Sequence, residues 1–318
     1  MKNIYVKNIK AGDKVADAFL VTEKSMAFSQ KGAPYLNLRL RDKTGVIEGR
    51  VWDRAVELDQ LFKKGDVVDI QSRAASYKNL IQLSVVDIRK ADGAGIDFKD
   101  FLPTSKNDVE EMWTALYQFI AEIQNPHLKR LLDAFFRDEE ISAGFKQAPA
   151  AKGFHHVYIG GLLEHTLSVL RLLEQVAKHY RSVNRDLLMT GGILHDIGKI
   201  RELSSGPLIE YTDAGRLIGH IVIGLEMLDA KIAALDEFPD QLSMELRHIL
   251  LSHHGILEYG SPKRPKTVEA LIIHYIDDMD AKVNAFQEFI GDSIDDTSDW
   301  TPFHRLFDRF IYKGKTSE

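Results

Sequence analysis

Polar and apolar positions change their rhythm once along the chain. Over residues 1–90 apolar side chains tend to alternate with polar ones in short runs: AFLVTEKSMAFS, YLNLRLRD, VIEGRVWD, DVVDIQSRAASY and LIQLSVVDIRK. Period-two alternation rich in β-branched and aromatic residues predicts strands. The strings Lys31-Gly32-Ala33-Pro34, Asp42-Lys43-Thr44-Gly45, Lys64-Gly65-Asp66 and Lys78-Asn79 predict the turns between them. Residues 91–107 show no period and read as a linker, with Phe98, Phe101 and Leu102 as anchors. From residue 108 onward the spacing becomes helical. It predicts helices over 108–123, 126–136, 138–146, 160–180, 184–197, 216–234, 241–252, 266–289 and 301–311.

Five strands in about 90 residues suggest a small closed barrel. The segment Tyr35–Asp53, with the pattern YxxLxLxDxTGxIxGxVWD, resembles the OB-fold family. That resemblance implies a five-stranded barrel that commonly binds oligonucleotides on one face. The fold expected is therefore multidomain: an all-β OB-fold barrel over 1–90, the linker 91–107, and an all-α region over 108–318.

Composition sharpens this division. The 318 residues include no cysteine, which excludes disulfides, thiolate zinc sites, iron–sulfur clusters and cysteine nucleophiles. No apolar run approaches the length of a membrane span and the N-terminus has no signal-like apolar region, so a cytoplasmic protein with no membrane partner is expected. The net charge of −6 hides an asymmetry, because residues 1–90 carry +6 and the remainder −12. Ten of the twelve histidines lie between His155 and His274. A basic barrel suits a polyanion, and an acidic, histidine-rich helical region suits cations.

The most informative string is Leu194-His195-Asp196-Ile197-Gly198-Lys199, which sets a histidine and a carboxylate into an apolar helix end. A buried carboxylate is costly unless it is paired or bound to a metal. His165 falls in the buried stripe of its helix with Val169, Leu172 and Val176; by itself it could equally be a core histidine bonded to a carbonyl. Asp277 shares a helix face with Ala270, Ile273 and Asp280, too far from the helix start to be a cap. His165, His195, Asp196 and Asp277 form a mixed nitrogen and oxygen set suited to Mn²⁺, Fe²⁺, Co²⁺, Zn²⁺ or Mg²⁺. His220, and the pair His253-His254 before Gly255, suggest a second ion, with Asp196 bridging the two.

The order H(165)…HD(195–196)…H(220)…HH(253–254)…D(277) resembles the HD superfamily of metal-dependent phosphohydrolases. The resemblance implies an all-α HD domain with its core at about 155–290. It implies first-ion ligands His165, His195, Asp196 and Asp277, and second-ion ligands His220 and His253, with His254 assisting. It further implies that Asp196 and Lys199 act in catalysis, Lys199 by contacting phosphate, and that Asp280 supports the ligands from behind. His274, beside Asp277, reads as structural or supporting.

The strings HHVYIGGLLEHT, LHDIGKI and SHHGxxEYGSPKxPxTxEAxxIHYIDDMDAK, with the barrel before them, are similar to the YhaM family of 3′→5′ exoribonucleases over nearly the whole chain. Cyclic-dinucleotide phosphodiesterases of the HD-GYP type share LHDIGK. Here, however, Glu258-Tyr259-Gly260-Ser261-Pro262 replaces the GYP element and Gly161 stands where they have a glutamate, so a third ion is not expected.

The function expected is metal-dependent 3′→5′ exonucleolysis of single-stranded RNA, with DNA an open alternative. One or two divalent ions are expected, Mn²⁺ first. A hydrolase of free or cyclic nucleotides with a regulatory barrel, and a non-catalytic nucleic-acid-binding protein, remain alternatives; a homo-oligomer is also open. On the barrel, Phe28, Tyr35, Trp52 and Tyr77 are candidate stacking residues or core. Lys31, Arg39, Arg41, Lys43, Arg50 and Lys78 are candidates for backbone tracking. Lys263, Arg264 and Lys266, in the loop after the histidine pair, are candidates to receive substrate, and His155 and His156 are candidate phosphate contacts or loop residues. His127, His179, His248 and His304 read as ordinary surface or packing residues.

Overall fold

A computed structural model describes residues 2–78, 80–92, 100–102, 105, 107–151, 158–204, 208–291, 293 and 298–314. His155, His156 and Phe98 lie outside them. The chain divides into two compact units, Met1–Thr104 with Ser205–Ile209, and Ser105–Ser204 with Glu210–Glu318.

The first unit is a closed barrel of β1 (Lys14–Phe28), β2 (Pro34–Asp42), β3 (Gly45–Val51), β4 (Val67–Tyr77) and β5 (Leu80–Lys90), with α1 (Ala55–Asp59) between β3 and β4. The strands run in the order β1-β2-β3-β5-β4, and β1 pairs with β4 to close the ring. All pairs are antiparallel except β3 with β5. This is the OB-fold topology. The 15 residues of β1 serve two partners, β4 through Lys14–Leu20 and β2 through Leu20–Phe28, with a register irregularity between Val21 and Glu23. Alternation works as expected in β2: Leu36, Leu38 and Leu40 are buried with Phe19, Val51, Ile70 and Leu83, while Asn37 and Arg39 point outward. Ala55, Leu58 and Phe62 join this core.

Of the expected linker anchors, Phe101 and Leu102 are buried. Asp100 beside them accepts from the Lys43 ammonium and the Tyr5 hydroxyl, both at 2.8 Å, and its carbonyl takes the backbone N–H of Lys43.

Among the described residues the second unit holds ten α-helices: α2 (Val109–Ala121), α3 (Pro126–Phe136), α4 (Glu139–Gln147), α5 (Gly161–His179), α6 (Arg185–Leu194), α7 (Lys199–Glu202), α8 (Asp213–Leu217), α9 (His220–Ala233), α10 (Asp240–Ser252) and α11 (Val268–Gly291). Helix starts follow the chemistry of their caps. Asp108, Asn125 and Asp138 each accept two backbone N–H groups from the first turn that follows. In α6 every residue from Leu187 to Leu194 is buried, which makes it the central helix, packed against α5, α10 and α11. Among the described residues no helix is long and apolar enough to cross a membrane.

Two expected helices are corrected. The segment expected to be one helix over 216–234 is two, because Gly219 takes φ +82°, ψ 155° and separates α8 from α9. No helix forms over 301–311. There the chain doubles back, with isolated antiparallel bridges Trp300 to Tyr312 and His304 to Arg309 and Asp308 in the left-handed region at φ 52°. The spacing of Phe303, Leu306, Phe307 and Phe310 fits a helix. The doubled-back form instead sets Trp300 at a tilt beside Tyr312 and Phe303 edge-to-face against Phe310, and gives the Ile311 N–H to the Thr301 hydroxyl.

Candidate metal centre

α6 ends at Leu194, and the chain turns through His195-Asp196-Ile197-Gly198 into the four-residue α7. That turn is buried on all sides, so its polar side chains need partners within the protein. Asp196 lies at its centre with its two oxygens facing different ways. Oδ2 is 3.7 Å from His165 Nε2 (on α5) and 3.4 Å from His195 Nε2; Asp277 (on α11) places Oδ1 3.1 Å from His165 Nε2 and 3.7 Å from His195 Nε2. Oδ1 of Asp196 is 3.5 Å from His220 Nε2 (first residue of α9) and 3.6 Å from His253 Nε2 (end of α10). One carboxylate thus separates two donor groups: His165, His195, Asp196 and Asp277 on one side, and His220, His253 and His254 on the other.

The ring orientations are set from behind. His195 Nδ1 donates to Gly192 O and His253 Nδ1 to Leu250 O, both at 2.8 Å. A carbonyl can only accept, so the ring proton sits on Nδ1 and the Nε2 lone pair faces the cluster. His165 Nδ1 meets Asp280 Oδ2 at 2.9 Å, and Asp280 is itself held by the Ser168 hydroxyl. His220 Nδ1 meets Glu202 Oε1 at 2.9 Å, and His254 Nδ1 meets Tyr259 O at 3.0 Å. His274 bonds the carbonyl of His253 at 2.9 Å, so it holds the backbone of that histidine. Its ring fills the space over Gly255, which takes φ +71° and where a Cβ would lie 2.2 Å from the ring.

The donor set fits divalent ions. Nε2 of His195, His220 and His253 and Oδ1 of Asp196 are buried with no hydrogen-bond partner among the described residues. Such atoms are tolerated when a cation takes their lone pairs. Without an ion the charges balance through protons. Burial pulls His195 down, but Asp196 and Asp277 outweigh it and raise its pKa to about 10. Burial pushes Asp196 up, but Lys199 and then His195 hold it well below the usual carboxylate range. Burial likewise opposes the ionisation of Asp277, and His165 and His195 overcome it. An ion entering this cluster replaces protons. His254, depressed to about 4 by burial and by its neighbour His253, is neutral and available as a donor.

Lys199 places its ammonium 2.6 Å from Asp196 Oδ2. Lys263, Arg264 and Lys266 are exposed in the loop between α10 and α11. Glu202, whose carboxylate meets the His220 ring, was not singled out from the sequence, since it lies in the mostly charged string Lys199-Ile200-Arg201-Glu202, which gives no signal of burial. Gly198 is similarly specific. A Cβ there would lie 2.0 Å from the carbonyl oxygen of His220 and 2.7 Å from the amide nitrogen of Gly224, so the histidine–aspartate turn and α9 touch backbone to backbone.

On the barrel, Tyr35 and Trp52 stack with ring centroids 4.6 Å apart at 27°. The Arg50 guanidinium lies 5.8 Å from each of these rings and 5.9 Å from Tyr77. Trp52 and Tyr77 are about half exposed, at 46% and 55%, so neither is core; Phe28 is exposed at the end of β1. Arg39 is exposed on the same face as Tyr35 and pairs with Glu23 at 3.0 Å, whereas Lys43 is engaged by Asp100.

A buried histidine–aspartate turn at the centre of a helical bundle, its carboxylate set between two groups of imidazoles, defines an HD-domain protein, and the HD domain family model matches residues 162–282. The 3′-5′ exoribonuclease YhaM of Bacillus subtilis is 36% identical over 276 residues, covering 86% of this chain and 87% of that protein. Its Listeria monocytogenes counterpart is 38% identical over 291 residues, covering 89% and 90%. The chain belongs to the YhaM family of 3′-5′ exoribonucleases. Among solved structures, the second OB-fold domain of replication protein A from Methanococcus maripaludis is similar over 29% of this chain and 97% of that one, at 20% identity and a TM-score of 0.24.

Proposed function

We propose that this chain is a cytoplasmic, metal-dependent 3′→5′ exonuclease of single-stranded RNA. The observation that carries the reading is the division of donors by Asp196, with its oxygens facing two separate groups of imidazoles. His165, His195, Asp277 and Asp196 Oδ2 would hold one ion, and His220, His253, His254 and Asp196 Oδ1 a second, with Mn²⁺ the first choice. Divalent ions so held supply positive charge for the scissile phosphate and lower the pKa of an attacking water. Asp280 and the backbone carbonyls keep the imidazoles aimed inward. Lys199, held on Asp196, offers its ammonium to a phosphate oxygen arriving at that carboxylate.

The barrel serves the same substrate. The Tyr35–Trp52 stack, flanked by Arg50 and Tyr77, forms a half-exposed aromatic and cationic platform. Bases stack on such a platform whatever their sequence. This favours a polymer over a free or cyclic nucleotide. The test supplies the Mn²⁺-loaded protein with 5′-labelled single-stranded RNA, and in parallel with deoxynucleoside triphosphates and a cyclic dinucleotide. The reading expects a ladder shortening from the 3′ end, abolished by chelator and by Asp196→Asn. Intact RNA alongside hydrolysed nucleotides would overturn it.

A further inference from the structure

The imidazoles of the cluster are oriented by two kinds of support. His195 and His253 lean on carbonyls three residues earlier in their own helices, so their orientation forms with the helix itself. His220 is different. As the first residue of α9, separated from α8 by Gly219 at positive φ, it has no preceding turn of its own helix to offer a carbonyl. Its support comes from Glu202, a buried side chain 18 positions away at the end of α7. One oxygen, Glu202 Oε1, takes both the backbone N–H and the Nδ1 of His220, each at 2.9 Å.

Glu202 is itself held at its other end. Its carbonyl accepts the N–H of Thr212 at 2.9 Å. Gly215 of α8 packs so close that a Cβ there would lie 2.2 Å from that carbonyl oxygen. Thr212 also caps α8 through Gly215 N. The residue therefore joins the α7 end to the start of α8 through its backbone carbonyl and to the start of α9 through its carboxylate.

We infer that Glu202 is the positioning residue for the second ion, which it does not touch: it fixes the ring of His220 and the start of α9, and so sets how tightly the His220 and His253 side of the cluster retains its cation. This deepens the two-ion reading and rests on it. The consequence is selective. Asp280 does the same for His165, on the far side of Asp196. Loss of Glu202 would weaken one ion and loss of Asp280 the other, although both carboxylates lie in one helical unit. Removing such a supporting partner weakens metal binding by about 10–100-fold.

The experiment is an equilibrium titration of the full chain with Mn²⁺, reading ions bound per chain by free-Mn²⁺ electron paramagnetic resonance. It compares wild type, Glu202→Gln, Glu202→Asp and Asp280→Asn, with circular dichroism recorded on each. Wild type should bind two ions. Glu202→Gln should keep one at wild-type affinity and bind the other about 10–100-fold more weakly. Glu202→Asp, which restores the charge, should recover part of the loss. Asp280→Asn combined with Glu202→Gln should weaken both ions, showing that the two substitutions act on different ones.

A wild-type protein that binds only one ion would overturn the two-ion reading and this inference with it. Two ions in wild type, with both unchanged or both equally weakened in a folded Glu202→Gln protein, would overturn the inference alone. Should Glu202→Gln not fold, His220→Phe read against Glu202→Asp makes the same distinction. The inference then requires the two to weaken the same ion.

Discussion

Replacing Gly198 with alanine sets two effects of opposite sign against each other. The backbone of Gly198 is ordinary right-handed helix, φ −65°, ψ −19°, so the conformation itself suits alanine. On that ground alone the substitution would stabilise by about 0.4–1 kcal/mol, by reducing the freedom of the unfolded chain. The added methyl group, however, would sit 2.0 Å from the carbonyl oxygen of His220 and 2.7 Å from the nitrogen of Gly224. These are backbone atoms at the start of α9, and no side-chain rotation relieves the contact. Forcing atoms into a packed interior costs about 1–3 kcal/mol, occasionally more, and here a whole helix end must shift by about 1 Å.

The contact therefore wins, with a net loss of about 1–2 kcal/mol. For a unit of some 200 residues this lowers the melting temperature by roughly 2–8 °C. The assay is thermal unfolding followed at 222 nm, where the helical unit dominates, on chelator-treated protein so that metal affinity does not contribute. Because His220 moves with α9 and its Nε2 is 3.5 Å from Asp196, Mn²⁺ titration should also show the second ion weakened. A Gly198→Ala protein that melts at or above the parental temperature and binds two ions normally would refute the backbone contact on which this reasoning rests.

Trp52→Ala and Tyr35→Ala should each weaken binding of single-stranded RNA by about 1–3 kcal/mol, read by fluorescence anisotropy in an Asp196→Asn background. Because the two rings stack on one another, the double variant should lose less than the sum; full additivity would contradict a shared platform. In acid, Asp100 reports on the barrel: the Lys43 ammonium and the Tyr5 hydroxyl hold its carboxyl below the ordinary value. Its folded pKa is the lower one, so its stabilisation is complete above about pH 4 and fades as the pH falls through the folded value. Urea unfolding of the barrel transition should lose stability below about pH 4, and Asp100→Asn should reduce that dependence.

Much of the fold was legible because simple periods were kept. Leu36, Leu38 and Leu40 alternate with Asn37 and Arg39 as a barrel strand requires, and Met112, Leu116 and Ile120 form a helical stripe. The donors stood out for the same reason: His165, His195 and Asp196 are polar side chains at positions the period assigns to the interior, and all three are buried. What sequence could not show depends on contacts between distant segments. Glu202 sits in a helix of four residues, and its role exists only because α9 begins beside it. The apolar spacing over 301–311 satisfies a helix, while the fold satisfied instead the Thr301 hydroxyl and the facing pairs of aromatic rings. Trp52 could not be given to core or surface by alternation, since it follows the last residue of β3, where the strand's period no longer applies.

The central claim is that Asp196 divides one cluster into two ion sites. A crystal soaked in Mn²⁺ and measured at the manganese absorption edge tests it directly. The account predicts two anomalous peaks flanking the Asp196 carboxylate, one among His165, His195 and Asp277, the other beside His220 and His253. A single peak, or peaks away from Asp196, would contradict it.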